Sequence, residues 1–323
     1  ENKLFRFLMG SSILCVLFKT LPGFAARNFG SLKGPFVYGF SIPLFITVLF
    51  PAFIKLAYSK YRQAAGWGAA VACVLYLGVI LLNVYQKPIE VMAHRGDQTV
   101  ALENTIPAFE AAMDGGITWA ELDVTQTKDG VLVVIHDDNL NRLAGVDINI
   151  WEVTFAELER MDIGSRYSPE FAGIRVPTLV DVLTHCTDQL NLYVELKYNG
   201  HETEGFVADV LRTLHDYGEG RYILASFRYE FIEEIKQLNP HIRTGYITSE
   251  RLEAPEIYEA ADCFSINYKA IDRELVSKIH RMGKAVYTWT VNDYSGVKQC
   301  VEAGVDGIIG NNPQFIRKIL VEG

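Results

Sequence analysis

Four apolar runs in this sequence end in ionisable residues: His94-Arg95-Gly96, Glu121-x-Asp123, His136-Asp137 and Glu195-x-Lys197. Each run reads as a strand with its polar residues at one end, and a barrel gathers such ends at a single mouth. Three carboxylates (Glu121, Asp123, Glu195), two imidazoles (His94, His136) and two cations (Arg95, Lys197) would then share one pocket. Hard oxygen donors without a cysteine suit Ca²⁺ or Mg²⁺ better than zinc. Such an ion would hold a non-bridging phosphate oxygen, with Arg95 and Lys197 adding positive charge. Two histidines can serve as base and acid on opposite sides of phosphorus. The inventory suits metal-assisted attack on a phosphate diester.

The elements that must carry these residues follow from periodicity. From Ile89 onward, strand-like runs at 91–94, 119–126, 131–136, 190–196, 222–227, 243–247, 264–268, 285–291 and 307–309 alternate with helix-like runs at 105–113, 178–186, 203–217, 229–238, 255–261, 273–282 and 294–303. That alternation is the pattern of an α/β barrel or a doubly wound sheet. No glycine-rich phosphate loop opens the first helix, so a barrel is preferred over a dinucleotide fold.

One connection, Thr127-Lys128-Asp129-Gly130, is too short for a helix and signals a hairpin. With the turn centred there, residue numbers that sum to about 257 face each other, which sets Glu121 opposite His136. The hairpin leaves nine strand-like runs for eight barrel places, without indicating which run stands outside. Between Asp137 and Leu190 lies an extended connection, read either as a lid or substrate-recognition element or as a surface insertion.

Composition bounds the rest. The 323 residues are 49% hydrophobic, and the apolar excess lies before residue 88. The net charge of -9 argues against nucleic acid as a partner. Five scattered cysteines lack ligand-like spacing. Residues 64–85 carry no charge and are long enough to cross a bilayer as a helix; 35–54 form a second such run, and 7–18 a shorter one. The expected domains are therefore a membrane region over 1–88, with two or three transmembrane helices, and a catalytic barrel over 89–323. The Lys and Arg balance around the last run favours a multi-pass cell-membrane protein with its catalytic domain outside the cytoplasm. The first residue is Glu1 rather than Met, which leaves open whether further spans precede it.

Ten stretches in order resemble the glycerophosphodiester phosphodiesterase family, in the form of a membrane-anchored bacterial-type member. They are Ala93-His94-Arg95-Gly96, Glu103-Asn104-Thr105, Glu121-Leu122-Asp123-Val124, Thr127-Lys128-Asp129-Gly130, His136-Asp137, Pro177-Thr178-Leu179, Glu195-Leu196-Lys197, Ser226-Phe227, Trp289-Thr290-Val291-Asn292 and Gly304-Val305-Asp306-Gly307-Ile308-Ile309. The resemblance implies a distorted TIM-type (β/α)8 barrel preceded by the transmembrane segments. It implies Glu121, Asp123 and Glu195 as metal ligands, His94 and His136 as acid/base residues, and Arg95 and Lys197 as phosphate-contacting or site-shaping positions. Three departures stand out: Leu102 in place of a usual Pro, Arg142-Leu143-Ala144-Gly145 in place of a more polar stretch, and Gly310-Asn311-Asn312-Pro313 in place of the usual Thr-Asp before Pro. None removes a proposed ligand or histidine.

The expected activity is hydrolysis of glycerophosphodiesters to glycerol 3-phosphate and an alcohol at the membrane surface, with one divalent cation, Ca²⁺ or Mg²⁺. The substrate is a small glycerophosphodiester or a lipid-derived molecule; a lysophospholipid or a polyglycerolphosphate polymer would use the same site. Trp289 is balanced between barrel packing and a wall for the glycerol moiety, Asn292 is a further site candidate, and Phe227 packs near the mouth. A non-catalytic alternative makes the chain a membrane scaffold or sensor with an inactive barrel; the complete residue set counts against it.

Overall fold

The computed structural model describes residues 88–322 apart from 187, 188, 216, 217 and 219. The three expected membrane segments fall outside the described residues. Among the described residues no helix is long and apolar enough to cross a membrane. The longest helices there have ten residues, or about 15 Å at 1.5 Å per residue, half the roughly 30 Å of a bilayer core. The expected multi-pass membrane localisation, with the extracytoplasmic placement drawn from it, is corrected for the described residues, which hold no membrane-spanning helix.

Nine strands form one sheet: β1 (Glu90–His94), β2 (Trp119–Gln126), β3 (Leu132–Val134), β4 (Asn191–Leu196), β5 (Tyr222–Ser226), β6 (Arg243–Thr248), β7 (Cys263–Asn267), β8 (Ala285–Trp289) and β9 (Gly307–Gly310). Eight of them run parallel and close a barrel, because β1 pairs with β2 on one side and with β9 on the other. The strand left outside is β3, which pairs antiparallel with the far end of β2.

Seven helices follow the strands: α1 (Ile106–Asp114), α2 (Leu179–Cys186), α3 (Phe206–Leu214), α4 (Tyr229–Leu238), α5 (Arg273–Arg281), α6 (Tyr294–Ala303) and α7 (Pro313–Glu322). α7 follows β9 and lies beyond the last run that periodicity predicts. Its start is marked by Asn312, whose Oδ1 accepts from Phe315 N at 2.9 Å, and by Pro313 in the first turn. The helix expected over 255–261 is instead a single 3₁₀ turn, Pro255–Ile257. Tyr258 leaves helical geometry to stack on Tyr246, with ring centroids 4.4 Å apart, so ring packing outweighs local propensity there.

Strands buried on both faces explain the near-continuous apolar runs. Outward residues such as Leu122, Val194, Leu224 and Phe264 pack against the helices through Phe109, Val182, Val210 and Ile232. Inward residues alternate with them. Met92, Trp119, Tyr193, Ile223, Cys263 and Tyr287 fill the barrel's lower interior, and the next inward positions toward the C-terminal ends are His94, Glu121, Asp123 and Glu195. The period of two therefore lifts the polar residues from the apolar filling to the mouth.

The hairpin differs from expectation by one residue. Pairs Val124↔Val134, Thr125↔Val133 and Gln126↔Leu132 share a sum of 258. Thr127 N donates to Val131 O at 3.0 Å, leaving Lys128, Asp129 and Gly130 as a three-residue loop with Gly130 at φ +80°. An odd loop shifts the register by one, so Glu121 and His136 are not ladder partners. Ile135 N donates instead to Asp123 O at 3.1 Å. The segment after it is not a bare loop: Leu140, Leu143, Ile150, Val153, Leu158, Ile163 and Val176 form a core of their own with Leu102, Val133 and Ile135.

Candidate active site

The mouth of the barrel encloses a cavity of about 260 Å³ lined by His94, Arg95, Glu121, His136, Glu195 and Lys197, with Tyr193, Phe227, Ile247, Ser265, Trp289, Thr290 and Ile309 completing the wall. Asp123 lies beneath it, buried to 1% exposure. Oxygens of Glu121, Asp123 and Glu195 come within 4.8 Å of one another.

The turn after β1 is built for this placement. Arg95 and Gly96 have φ of +56° and +85°, and a Cβ on Gly96 would stand 2.6 Å from the Ala108 backbone. The resulting bend turns Arg95 N toward Glu121 Oε2, to which it donates at 3.0 Å. The Arg95 side chain places Nε 3.2 Å from Asp123 Oδ2 and donates from Nη1 to Glu103 Oε1 at 3.0 Å. Asn104, also at positive φ, donates from Nδ2 to Asp123 Oδ2 at 2.8 Å. Lys197 Nζ lies 3.0 Å from Glu195 Oε1 and 3.6 Å from Asp123 Oδ1.

These contacts set the charges. Burial, and then the charge of Asp123, push the carboxyls of Glu121 and Glu195 above the usual carboxylate range. Burial acts on Asp123 in the same sense, but Lys197 and Arg95 outweigh it and hold that carboxyl below its ordinary value. For Lys197 the neighbouring Glu195 and Asp123 overcome the effect of burial and raise its affinity for a proton.

The two histidines have different supports. Asn311 Oδ1 lies 2.6 Å from His94 Nδ1 and also accepts from Gln98 Nε2 at 3.2 Å. With an amide oxygen there, Nδ1 carries the proton and Nε2 faces Glu121 Oε2 at 3.8 Å. Burial, helped by the Arg95 charge, lowers the His94 pKa to about 4. His136 instead sets Nδ1 2.9 Å from Asp137 Oδ1. Its hydrogen bond holds the Asp137 carboxyl well below the usual range.

Trp289 and Phe227 meet edge to face, with ring centroids 5.5 Å apart, and both line the cavity. Trp289 Nε1 is tied to Ser265 O at 3.1 Å. Asn292 stands a step back: its Oδ1 accepts from Asn311 N at 2.9 Å, supporting the loop that reaches His94. Periodicity missed Gln98, Glu103, Asn104, Arg142 and Asn311. Glu103-Asn104 lay within a family-like stretch, and Arg142 and Asn311 lay within two of the departures from it; Gln98 carried no such signal.

The donor set fits a hard divalent cation. Arg95 N takes one oxygen of Glu121 and Lys197 one of Glu195, and the three carboxylates are all buried. Glu103, Glu121, Asp123, Asp137 and Glu195 face Arg95, Arg142 and Lys197, so acids outnumber bases by two. A buried excess of negative charge is costly without a counter-ion.

Residues 94–315 match the model of the glycerophosphoryl diester phosphodiesterase family. A glycerophosphodiester phosphodiesterase of Caldanaerobacter subterraneus is 33% identical over 238 residues, covering 72% of this chain and 98% of that protein. A second, from Bacillus altitudinis, is 31% identical over 241 residues, covering 72% of this chain and 98% of its own. Among solved structures, a phosphodiesterase of Oleispira antarctica in complex with the product sn-glycerol-3-phosphate superposes with a TM-score of 0.66 at 29% identity, covering 72% of this chain and 97% of that one.

Proposed function

This chain belongs to the glycerophosphoryl diester phosphodiesterase family and is a phosphoric diester hydrolase, and we propose that it splits small glycerophosphodiesters into glycerol 3-phosphate and an alcohol with a divalent cation held by Glu121, Asp123 and Glu195. The observation that carries this reading is the approach of those three carboxylates to within 4.8 Å at the cavity that His94 and His136 both line. The product in the Oleispira antarctica structure supports the choice of substrate.

Ca²⁺ or Mg²⁺ bound there would offset the charge that builds on the phosphoryl oxygens. Arg95 and Lys197 steer the phosphate and favour the ionised form of Asp123. His94, neutral and protonated on Nδ1, offers Nε2 to the attacking hydroxyl and takes its proton as the new P–O bond forms. His136, backed by Asp137, gives a proton to the alcohol oxygen as the old P–O bond breaks. Phe227 and Trp289 give the glycerol carbons an apolar wall.

The test is an assay of the purified protein on glycerophosphocholine. Hydrolysis should stop with a chelator, return with Ca²⁺ or Mg²⁺, and fall about 10²-fold in Glu121→Gln; chelator-resistant hydrolysis would remove the cation from the reading.

A further inference from the structure

Arg142 is a charged residue beside the site that this reading leaves unused. It stands on the one-turn helix Asn141–Ala144, inside the separately packed segment, where buried Leu143 anchors its neighbour. Its Nε donates to Asp137 Oδ2 at 2.5 Å. Its terminal nitrogens donate to both oxygens of Glu103, Nη2 to Oε1 at 2.7 Å and Nη1 to Oε2 at 3.3 Å. Asp137 Oδ1 is the partner of His136, and Glu103 Oε1 the partner of Arg95. One guanidinium thus spans the two loops that support His136 and Arg95.

A carboxylate at the end of a loop can rotate, and Arg142 holds the outer oxygen of Asp137. The planar fork of arginine can bind two carboxylates at fixed angles, where an ammonium offers a single point. With its side chain 48% exposed, Arg142 acts through water-screened charge, so direction of the bond counts for more than field strength.

We propose that Arg142 is a positioning residue for His136: it fixes Asp137 in the orientation that accepts the Nδ1 proton, so that Nε2 is presented to the leaving oxygen. The packed segment that carries Arg142 is then a strut for the acid side of the site. The inference rests on the reading of His136 given above.

The experiment compares Arg142→Ala, Arg142→Lys, Asp137→Asn, the Arg142→Ala/Asp137→Asn double variant and His136→Ala on glycerophosphocholine with saturating Ca²⁺ or Mg²⁺. Arg142→Ala should lower kcat about tenfold with KM little changed, since a displaced group costs rate rather than binding. Guanidinium in the buffer should restore part of that rate in Arg142→Ala and none in the double variant. The double variant should match Asp137→Asn alone, because the two act through one contact. Independent, multiplying losses, or a rise in KM at unchanged kcat, would overturn the proposal. Arg142→Lys keeps the charge and most of the bulk, so it supplies the same kcat and KM comparison if the alanine variant fails to fold; full activity there overturns the need for the fork. Wild-type rates in His136→Ala would instead overturn the reading beneath it.

Discussion

His94 and His136 reach one cavity from two kinds of chain. His94 ends a barrel strand, is backed by the neutral amide of Asn311 and is pressed into its uncharged form by burial. His136 follows a strand outside the barrel and is backed by the carboxylate of Asp137, which in turn is held by Arg142 from a segment with its own core. The Asn311 amide favours a proton on His94 too weakly to offset burial, whereas a carboxylate sets a full negative charge against an imidazole. Under the proposed division of roles, one residue type takes opposite proton duties: the closed sheet would supply a dry place for a base, and the appended hairpin an anion for an acid.

The sharpest way to break this comparison is to change the leaving group. His136→Ala should lose about 10³-fold in kcat on glycerophosphocholine, within the range for a lost general acid. Most of that loss should disappear with a p-nitrophenyl diester, whose phenolate leaves without a proton. His94→Ala should lose a similar factor on both substrates, because the attacking hydroxyl still needs a base. Equal responses of the two variants to the leaving group would end the division of roles.

Glu121 lies between the two sides, 3.8 Å from His94 Nε2 and on the wall shared with His136. Glu121→Gln keeps an oxygen for Arg95 N but lowers the charge of the donor set. A loss of about 10²-fold is expected, as for removal of one electrostatic partner of the transition state. Calorimetry should show the wild type taking up Ca²⁺ or Mg²⁺ and the variant taking up far less; equal uptake would place the ion elsewhere.

Asp137→Asn tests the anion itself. The amide still fills the space, yet it no longer favours the charged imidazole, so kcat should fall about tenfold, the lower end for a residue that orients an active group. An Asn311→Asp change makes the converse exchange on the barrel side, and it should slow the base step if a neutral His94 is what the reaction needs. An unchanged rate in both would show that the supports are interchangeable.

Much of this was legible in the sequence, for a physical reason. A period of two fixes which residues of one strand share a face, so Glu121 and Asp123 could be placed together from the sequence, and Glu195 joined them as the polar end of another apolar run. The partners could not. Asn311 meets His94 across 217 residues, and Asn104 and Arg95 turn inward through positive φ, which neither residue type announces. The one-residue shift of the hairpin depended on Gly130 sitting inside a three-residue loop rather than a tighter one. That β3 stands outside followed only from β1 pairing with both β2 and β9.

The smallest expected effect is on stability, and it sharpens the barrel side of the comparison. A free histidine titrates near 6.5, while His94 in the fold does so at about 4. The folded state therefore binds fewer protons than the unfolded chain between those values, and stability must rise with pH there. The contribution of neutral His94 is whole above about pH 6.5 and is lost as pH falls toward 4. Denaturant midpoints of the wild type and His94→Gln, measured with chelator present, should diverge along that interval, the wild type losing more as acid is added. Glu121 and Asp123 are present in both proteins and Arg95 stays charged throughout, so the difference between the curves belongs to His94. Parallel curves would mean that the imidazole is no drier in the barrel than in water, and the contrast with His136 would then rest on Asp137 alone.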